Sequence, residues 1–485
     1  MNEGILGIGA GILYFINIVL AILIIFFERK KPESTWAWLF VLSFIPIIGF
    51  LLYLLIGQNL SKKKMFMLNT EEDHTLKSIL REQLEEISEH DEELISKAVW
   101  PYKDIITMHI VNSEALYTQS NSVEVFSNGD NKFDSLLKDL NKAEDHIHML
   151  YYIFKDDDIG TKIISALTLK ASQGIKVKLL IDGLGGRTLH SKSFSKFKKA
   201  GGELEFFFPS NKIVRRINTR VNYRNHRKMV IIDGKIGYVG GYNVGDEYLG
   251  KDPRFGYWRD THLKITGQGV YGLQIRFLQD WSFAVKKYNG FEPYMFPEIE
   301  TNDSVPVQIV SSGPDSEWEQ IKNGFLKFIS SAQKSIYIQS PYFVPDSSIM
   351  DSLKIAILSG IDVKIMIPSF PDHPFVYWAS YSYIGELVSI GAECYCYTKG
   401  FLHAKTIVID DKIASVGTAN WDVRSFKLNF EVNAFIYDRK TAKTLSDLFI
   451  NDIKDCDHLT HVKYLKRPLG IKFKESISRL LAPIL

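Results

Sequence analysis

The feature that most constrains this chain is that it repeats itself. Residues 143–186 and 332–372 each run from an apolar strand through an acidic turn and a helical stretch to Gly-Ile-x-Val-Lys, beginning at Gly174 and Gly360, and then to another strand. Gly201-Gly202-Glu203 and Gly391-Ala392-Glu393 follow, each leading into an aromatic strand. Strands alternating with helices at this spacing predict duplicated α/β units with a mixed or parallel sheet. At 485 residues the chain is long enough for two such cores.

Both copies end in the same polar pattern. His226, Lys228 and Asp233 form His-x-Lys-x4-Asp in the first, and His403, Lys405 and Asp410 repeat it in the second. After six intervening residues come Gly240-Gly241-Tyr242-Asn243 and Gly417-Thr418-Ala419-Asn420. A chain of this length should hold on the order of 0.1 such motifs by chance, so a duplicate with matching tails is a specific signal. On an extended strand residues i and i+2 share a face, so each histidine and its lysine project together. Brought together, the copies would make one pocket with two imidazoles, two ammoniums and the amides of Asn243 and Asn420. The ammoniums suit phosphate oxygens, and the amides donate neutral hydrogen bonds. One histidine can attack phosphorus, while the other protonates the leaving oxygen and then deprotonates an incoming alcohol. This chemistry asks for no metal and no cofactor. Each imidazole needs a carboxylate on its second nitrogen, and Asp260 and Glu431, on the strands after each motif, are the candidates. Asp233 and Asp410 each end an apolar run before a turn, so turn capping or lysine pairing stands beside a chemical role.

These motifs resemble the phospholipase D superfamily, and their flanks resemble bacterial-type cardiolipin synthases. The resemblance rests on residues 222–228, 240–243, Trp258-Arg259-Asp260, Gln339-Ser340-Pro341-Tyr342-Phe343-Val344-Pro345, 400–405 and 417–426. It implies two duplicated phospholipase D-like α/β/α sandwich domains with the active site at their pseudo-twofold interface. It also implies His226, Lys228 and Asp233 as one half-site, His403, Lys405 and Asp410 as the other, and Asn243 and Asn420 as phosphate contacts. Related members use the first-half histidine as nucleophile, which points to His226. The implied reaction transfers a phosphatidyl group between two phosphatidylglycerol molecules, giving cardiolipin and glycerol. A hydrolytic phospholipase D and a phosphatidylserine synthase are the alternatives on the same scaffold. Gly241 stands where Ser or Thr is usual.

The N-terminus is polarised differently. Ile5 to Phe27 and Trp36 to Ile56 are apolar runs separated by a short charged loop. Each is long enough to cross a hydrocarbon core of about 30 Å. No Lys or Arg precedes the first run and a second follows at once, which disfavours a cleaved signal peptide. The expected organisation is a transmembrane hairpin over 1–60 and an amphipathic connector over 61–105, with Leu76, Leu80, Leu84 and Ile87 at helical spacing. Phospholipase D-like units over 106–300 and 301–485 follow, the last ending in an amphipathic segment. That places the chain in the cell membrane as a multi-pass protein. The basic residues of the loop and of the exit, Arg29 to Lys31 and Lys62 to Lys64, nearly balance. Cys394, Cys396 and Cys456 are too few for a disulfide framework and favour catalytic domains on the cytoplasmic face.

A net charge of +2 argues against a bulk polyanion binder, and with the hairpin against a nucleic-acid partner. The expected partners are phosphatidylglycerol and anionic membrane lipids, with homo-oligomerisation left open. The basic insertion 211–225 fits lipid headgroups or a solvated loop, and the segment from Ile471 to Leu481 fits a membrane surface or packing on the domain. Three weaker patterns fail. Asp182-Gly183-Leu184-Gly185-Gly186-Arg187 lacks the later Gly and Asp residues of metal-dependent CDP-alcohol phosphatidyltransferases. His146 and His148 lack a third ligand for zinc. Asp156-Asp157-Asp158 reads as a turn and helix cap.

Overall fold

The computed structural model describes residues 15, 18, 19, 22, 32–45, 70–89, 94–187, 189, 193–208, 223–288 and 290–482. Contacts divide the chain into two units, 1–63 with 210–223 and 64–209 with 224–485. In the first unit Pro32–Phe44 is a helix that exposes Trp36, Phe40 and Phe44. Among the described residues no helix is long and apolar enough to cross a membrane. Most of the expected hairpin, and residues 211–222 of the basic insertion, lie outside the described residues.

The second unit holds both copies. A short strand β1 (Tyr117–Thr118) is followed by β2 (Asn121–Phe126), β3 (His146–Tyr151), β4 (Lys176–Asp182), β5 (Glu203–Phe207) and β6 (Arg224–Asn225). β7 (Met229–Ile232), β8 (Ile236–Gly240), β9 (Tyr257–Arg259) and β10 (His262–Gly267) complete the first copy. The second supplies β11 (Val307–Ser312), β12 (Ser335–Gln339), β13 (Phe343–Val344), β14 (Asp362–Pro368), β15 (Glu393–Tyr397) and β16 (Gly400–Leu402). Its last strands are β17 (Thr406–Ile409), β18 (Ile413–Gly417), β19 (Trp421–Asp422), β20 (Asn429–Ile436) and β21 (Cys456–Leu459). One sheet runs β2-β10-β8-β7-β3-β4-β5, the other β1-β11-β20-β18-β17-β12-β14-β15-β21. From β2 and β11 onward the two orders match strand for strand through β5 and β15, so the duplication read in the sequence is a duplication of topology. β3, β4 and β5 are parallel and the remaining pairs of that sheet antiparallel, as the βαβ spacing requires.

Local chemistry explains the repeats. All six residues of β3 are buried, as expected for a central strand covered on both faces. The helices that follow, Asp158–Ser172 and Ser347–Leu358, are capped by Asp157 and Asp346, whose carboxylates accept from Gly160 N and Ile349 N. Just beyond their ends stand Gly174 and Gly360, at φ 88° and 87°, a left-handed conformation that favours glycine. That requirement is why Gly-Ile-x-Val-Lys recurs.

One assignment is corrected. The connector helix Thr70–Ser88 and the helix Lys103–Ser113 bury Leu76, Leu80, Ile87, Ile106 and Ile110 in the core that contains Phe325, Phe328 and Phe435 of the second copy. β1 pairs antiparallel with β11, and Gln308 Nε2 donates to the carbonyls of Ile106 and Ala115. Residues 106–118, grouped with the first unit on sequence, thus belong to the second copy's sheet and core. An apolar helix face carries no mark of which of two similar sheets it covers.

The copies also cross. β6 runs parallel to the start of β20, and β9 runs parallel to β16. Beneath them Arg259 Nε donates to Asp452 at 2.8 Å, both side chains buried, so each copy closes part of the other.

Candidate active site

The site is built where the copies cross. β6 delivers the chain to His226, whose N–H donates to Phe430 O at 2.9 Å, so Glu431 arrives beside the imidazole. The other pair repeats the arrangement: β16 delivers His403, whose N–H donates to Arg259 O at 2.7 Å, and Asp260 arrives beside it. His226 Nδ1 lies 2.9 and 3.0 Å from the Glu431 carboxylate oxygens, and His403 Nδ1 lies 2.6 Å from Asp260 Oδ2. Each histidine therefore meets a carboxylate from the other copy. With Nδ1 engaged, each ring keeps Nε2 available to a ligand.

His226, Lys228, His403 and Lys405 occupy the junctions between paired strands, not the ladders themselves. Each lysine donates to the carbonyl of its own histidine, two residues back. Burial lowers His226 and His403 to about 4, so both imidazoles are neutral near pH 7. Lys405 also depresses His226, and Lys228 depresses His403, so the four groups act on one another across the copies. Burial lowers Lys228 to about 7 and Lys405 to about 8, against the opposing pull of Asp260 and Glu431. An anion entering this space finds two ammoniums desolvated in advance, where charge interactions are stronger than in water.

Of the two asparagines, Asn243 accepts from Ile153 N at 3.0 Å and donates to the Tyr248 hydroxyl at 3.1 Å, leaving one amide hydrogen unused. The Asn420 amide oxygen is buried without a hydrogen-bond partner. Among the described residues no group of three or more His, Cys, Asp or Glu side chains is placed to hold a metal ion. His146 and His148 are bridged by the Gln274 amide, which explains their shared face.

A family model described as "Cardiolipin synthase, PLD-like domain" matches residues 136–252 and 325–453, one match to each copy. The chain belongs to the cardiolipin synthase family. It is 54% identical to the major cardiolipin synthase of Bacillus subtilis, over 97% of this chain and 98% of that protein. It is 51% identical to a cardiolipin synthase of Staphylococcus aureus, over 97% and 95%. A second family model, "Phospholipase_D-nuclease N-terminal", matches residues 15–58. Among solved structures, the phosphatidylserine synthase of Haemophilus influenzae superposes with a TM-score of 0.62 at 16% identity, covering 79% of this chain and all of that one, which is a likeness of fold.

In this family member the third letter of each motif does not reach the pocket. Asp233 accepts from the backbone N–H groups of Glu144, Asp145 and His146, and Asp410 from those of Gln333, Lys334 and Ser335, at 2.7 to 3.0 Å. Both have left-handed backbones, φ 53° and 54°. Five residues of extended chain put them roughly 16 Å from the lysines. They tie the turn after β7 or β17 to the start of β3 or β12.

The sequence reading passed over several residues around the histidines. The Tyr152 ring packs edge-on to His226 at 5.0 Å, and Trp258 lies 5.2 Å from His403. Arg227, the variable letter of the first motif, donates to the Asp280 carboxylate, the Glu431 carbonyl, the Ser311 hydroxyl and the Ser312 carbonyl, all buried. Thr418 donates to Glu431 Oε2 at 2.6 Å, whereas at the matching Gly241 a Cβ would meet the Asp260 carboxylate at 1.9 Å. The Gly241 variant noted on sequence is thus a packing requirement. Lining up the two copies would have flagged this last pair.

Replacing Asp233 or Asp410 with Ala is expected to cost about 1–3 kcal/mol of stability by stranding three backbone donors, with Asn costing less. The protein that remains folded should still turn over. Thermal melts paired with activity per folded molecule check this, and an unchanged melt with lost turnover would contradict the turn-anchoring role.

Proposed function

We propose that this chain transfers a phosphatidyl group from one phosphatidylglycerol to another, yielding cardiolipin and free glycerol. The observation that carries the reading is the crossed pair: two imidazoles held at Nδ1 by carboxylates, with two buried lysines that each act electrostatically on both. The names of its relatives supply the substrate class. His403 is neutral before substrate binds; the anionic diester raises it, so that it takes a proton from water and becomes an imidazolium supported by Asp260. In the first half-reaction His226 Nε2 attacks phosphorus, the bond to glycerol oxygen breaks, and His403 Nε2–H protonates that oxygen. Glu431 balances the positive imidazole of the phosphatidyl-histidine. In the second, the headgroup hydroxyl of another phosphatidylglycerol gives its proton to His403 as its oxygen attacks phosphorus and the P–N bond breaks. His403 ends as it began.

The assignment of His226 as nucleophile follows from an asymmetry. Glu431 spreads its charge over His226, Thr418 and Asn429, the last at 3.2 Å, while Asp260 makes a shorter bond to His403 and otherwise accepts from Thr261 N. The more concentrated carboxylate suits the imidazole that must carry a proton. Lys228, Lys405, Asn243 and Asn420 surround the phosphate oxygens. The two ammoniums offset the developing charge, so the reaction should run without an added metal ion. The apolar runs before residue 60, together with the N-terminal family match, support a membrane anchor, which keeps the pocket near both lipid substrates. The three free cysteines favour the cytoplasmic side for the catalytic unit.

Purified enzyme given phosphatidylglycerol in mixed micelles with chelator should form cardiolipin and glycerol in equal amounts. His226→Ala and His403→Ala should each lower turnover at least about a thousandfold. Phosphatidic acid with little cardiolipin would make water the acceptor, and substantial residual activity in both variants would remove the two-histidine mechanism.

The lysines set a pH dependence. An anionic diester binds best to their protonated forms, so affinity is full below about 7 and falls as pH rises through about 8. KM for phosphatidylglycerol should therefore rise on the alkaline side, by up to about tenfold per pH unit for each lysine lost. A KM flat to pH 9 would contradict the lysines' role in binding.

A further inference from the structure

The C-terminal helix Leu469–Leu481 is packed the wrong way round for a soluble surface helix. Its polar side faces the protein: Glu475 and Ser478 are buried, Glu475 accepts from Arg467 Nε at 2.7 Å, and Arg479 pairs with Glu386 and donates to the Ser382 hydroxyl on the helix Pro374–Val388. Its apolar side faces out, with Leu469 81% exposed, Phe473 69%, Ile477 40% and Leu480 78%. At 100° per residue those four fall within an arc of about 80°, nearly opposite Ile471, Glu475, Ser478 and Ala482. Lys472 and Lys474 lie on either side of the stripe. Just upstream, the helix His461–Leu465 exposes Val462 and Leu465 beside Lys463 and Lys466.

The geometry points to this face as a docking surface for a phospholipid bilayer with anionic headgroups. The charge identifies the occupant: between 460 and 482 the only acidic residue is Glu475, which is buried against Arg467, while lysines rim the apolar stripe. Long lysine stems can lie along the apolar side chains and carry their charge to the headgroup level, the pattern of helices that lie in a membrane interface. The placement is also apt. The helix Pro374–Val388 that supports this face begins two residues after Asp372, which acts electrostatically on Lys405, and its 15 residues span about 22 Å. Lipid held against Phe473 is thereby kept within about a helix length of that end of the pocket. The inference does not depend on the reaction, because its readout is the depth of one side chain.

The test uses the full chain in lipid nanodiscs, with a nitroxide on Phe473→Cys, and separately on Leu480→Cys, in a Cys456→Ser background. In discs containing phosphatidylglycerol, collisions with oxygen, which partitions into lipid, should rise and collisions with a water-soluble nickel chelate should fall, relative to discs of phosphatidylcholine alone. A label equally open to the chelate in both discs would overturn the proposal. Equal insertion in both would overturn the choice of an anionic surface. Shielding from both reagents with spin–spin broadening would mean that a second copy covers the face, and would overturn it too.

Discussion

The structure depends on two short parallel pairings, β6 with β20 and β9 with β16. Each is only two or three residues long, yet each sets the register by which a histidine of one copy meets a carboxylate of the other. A slip of one residue would turn Glu431 or Asp260 to the opposite face. The copies cannot separate without exposing neutral imidazoles and buried carboxylates together, so the active site and the interface between the copies are one feature.

Burial then supplies the electrostatics. The ionisable groups around the pocket sit in a shell held by Arg227 with Asp280 and by Arg259 with Asp452. Breaking a buried pair of this kind costs about 3–5 kcal/mol because it leaves one charge uncompensated. The same dry surroundings keep both histidines neutral and weaken the lysines' hold on their protons until an anion arrives. Preorganised charge at a site that excludes water is a large contributor to catalysis.

Much of this was legible in the sequence because the chain carries its own alignment. Comparing the copies located His226, Lys228, His403, Lys405, Asn243 and Asn420, and the need of imidazole for a partner singled out Asp260 and Glu431. What it did not show was that the partners cross between copies, since an orienting carboxylate looks the same on either strand. Asp233 and Asp410 recur with the motif although they bond backbone far from the lysines: recurrence reports constraint, and here the constraint is a left-handed turn. Residues 106–118 were grouped with the first copy because they precede it in the chain, and nothing in their own sequence names the second copy's sheet as their partner. Arg227 was passed over because the second copy has Ala404 there, so the repeat gave no signal.

The most direct test is to identify the covalent intermediate. Enzyme mixed with phosphatidylglycerol radiolabelled at phosphorus is denatured in detergent at neutral pH, with acid and strong alkali avoided so that the P–N bond and the acyl esters both survive, and the labelled peptide is sequenced. The account predicts label on His226, lost in His226→Ala. Label on His403 would reverse the assigned roles, and turnover with no labelled protein at any time would contradict the two-step mechanism itself.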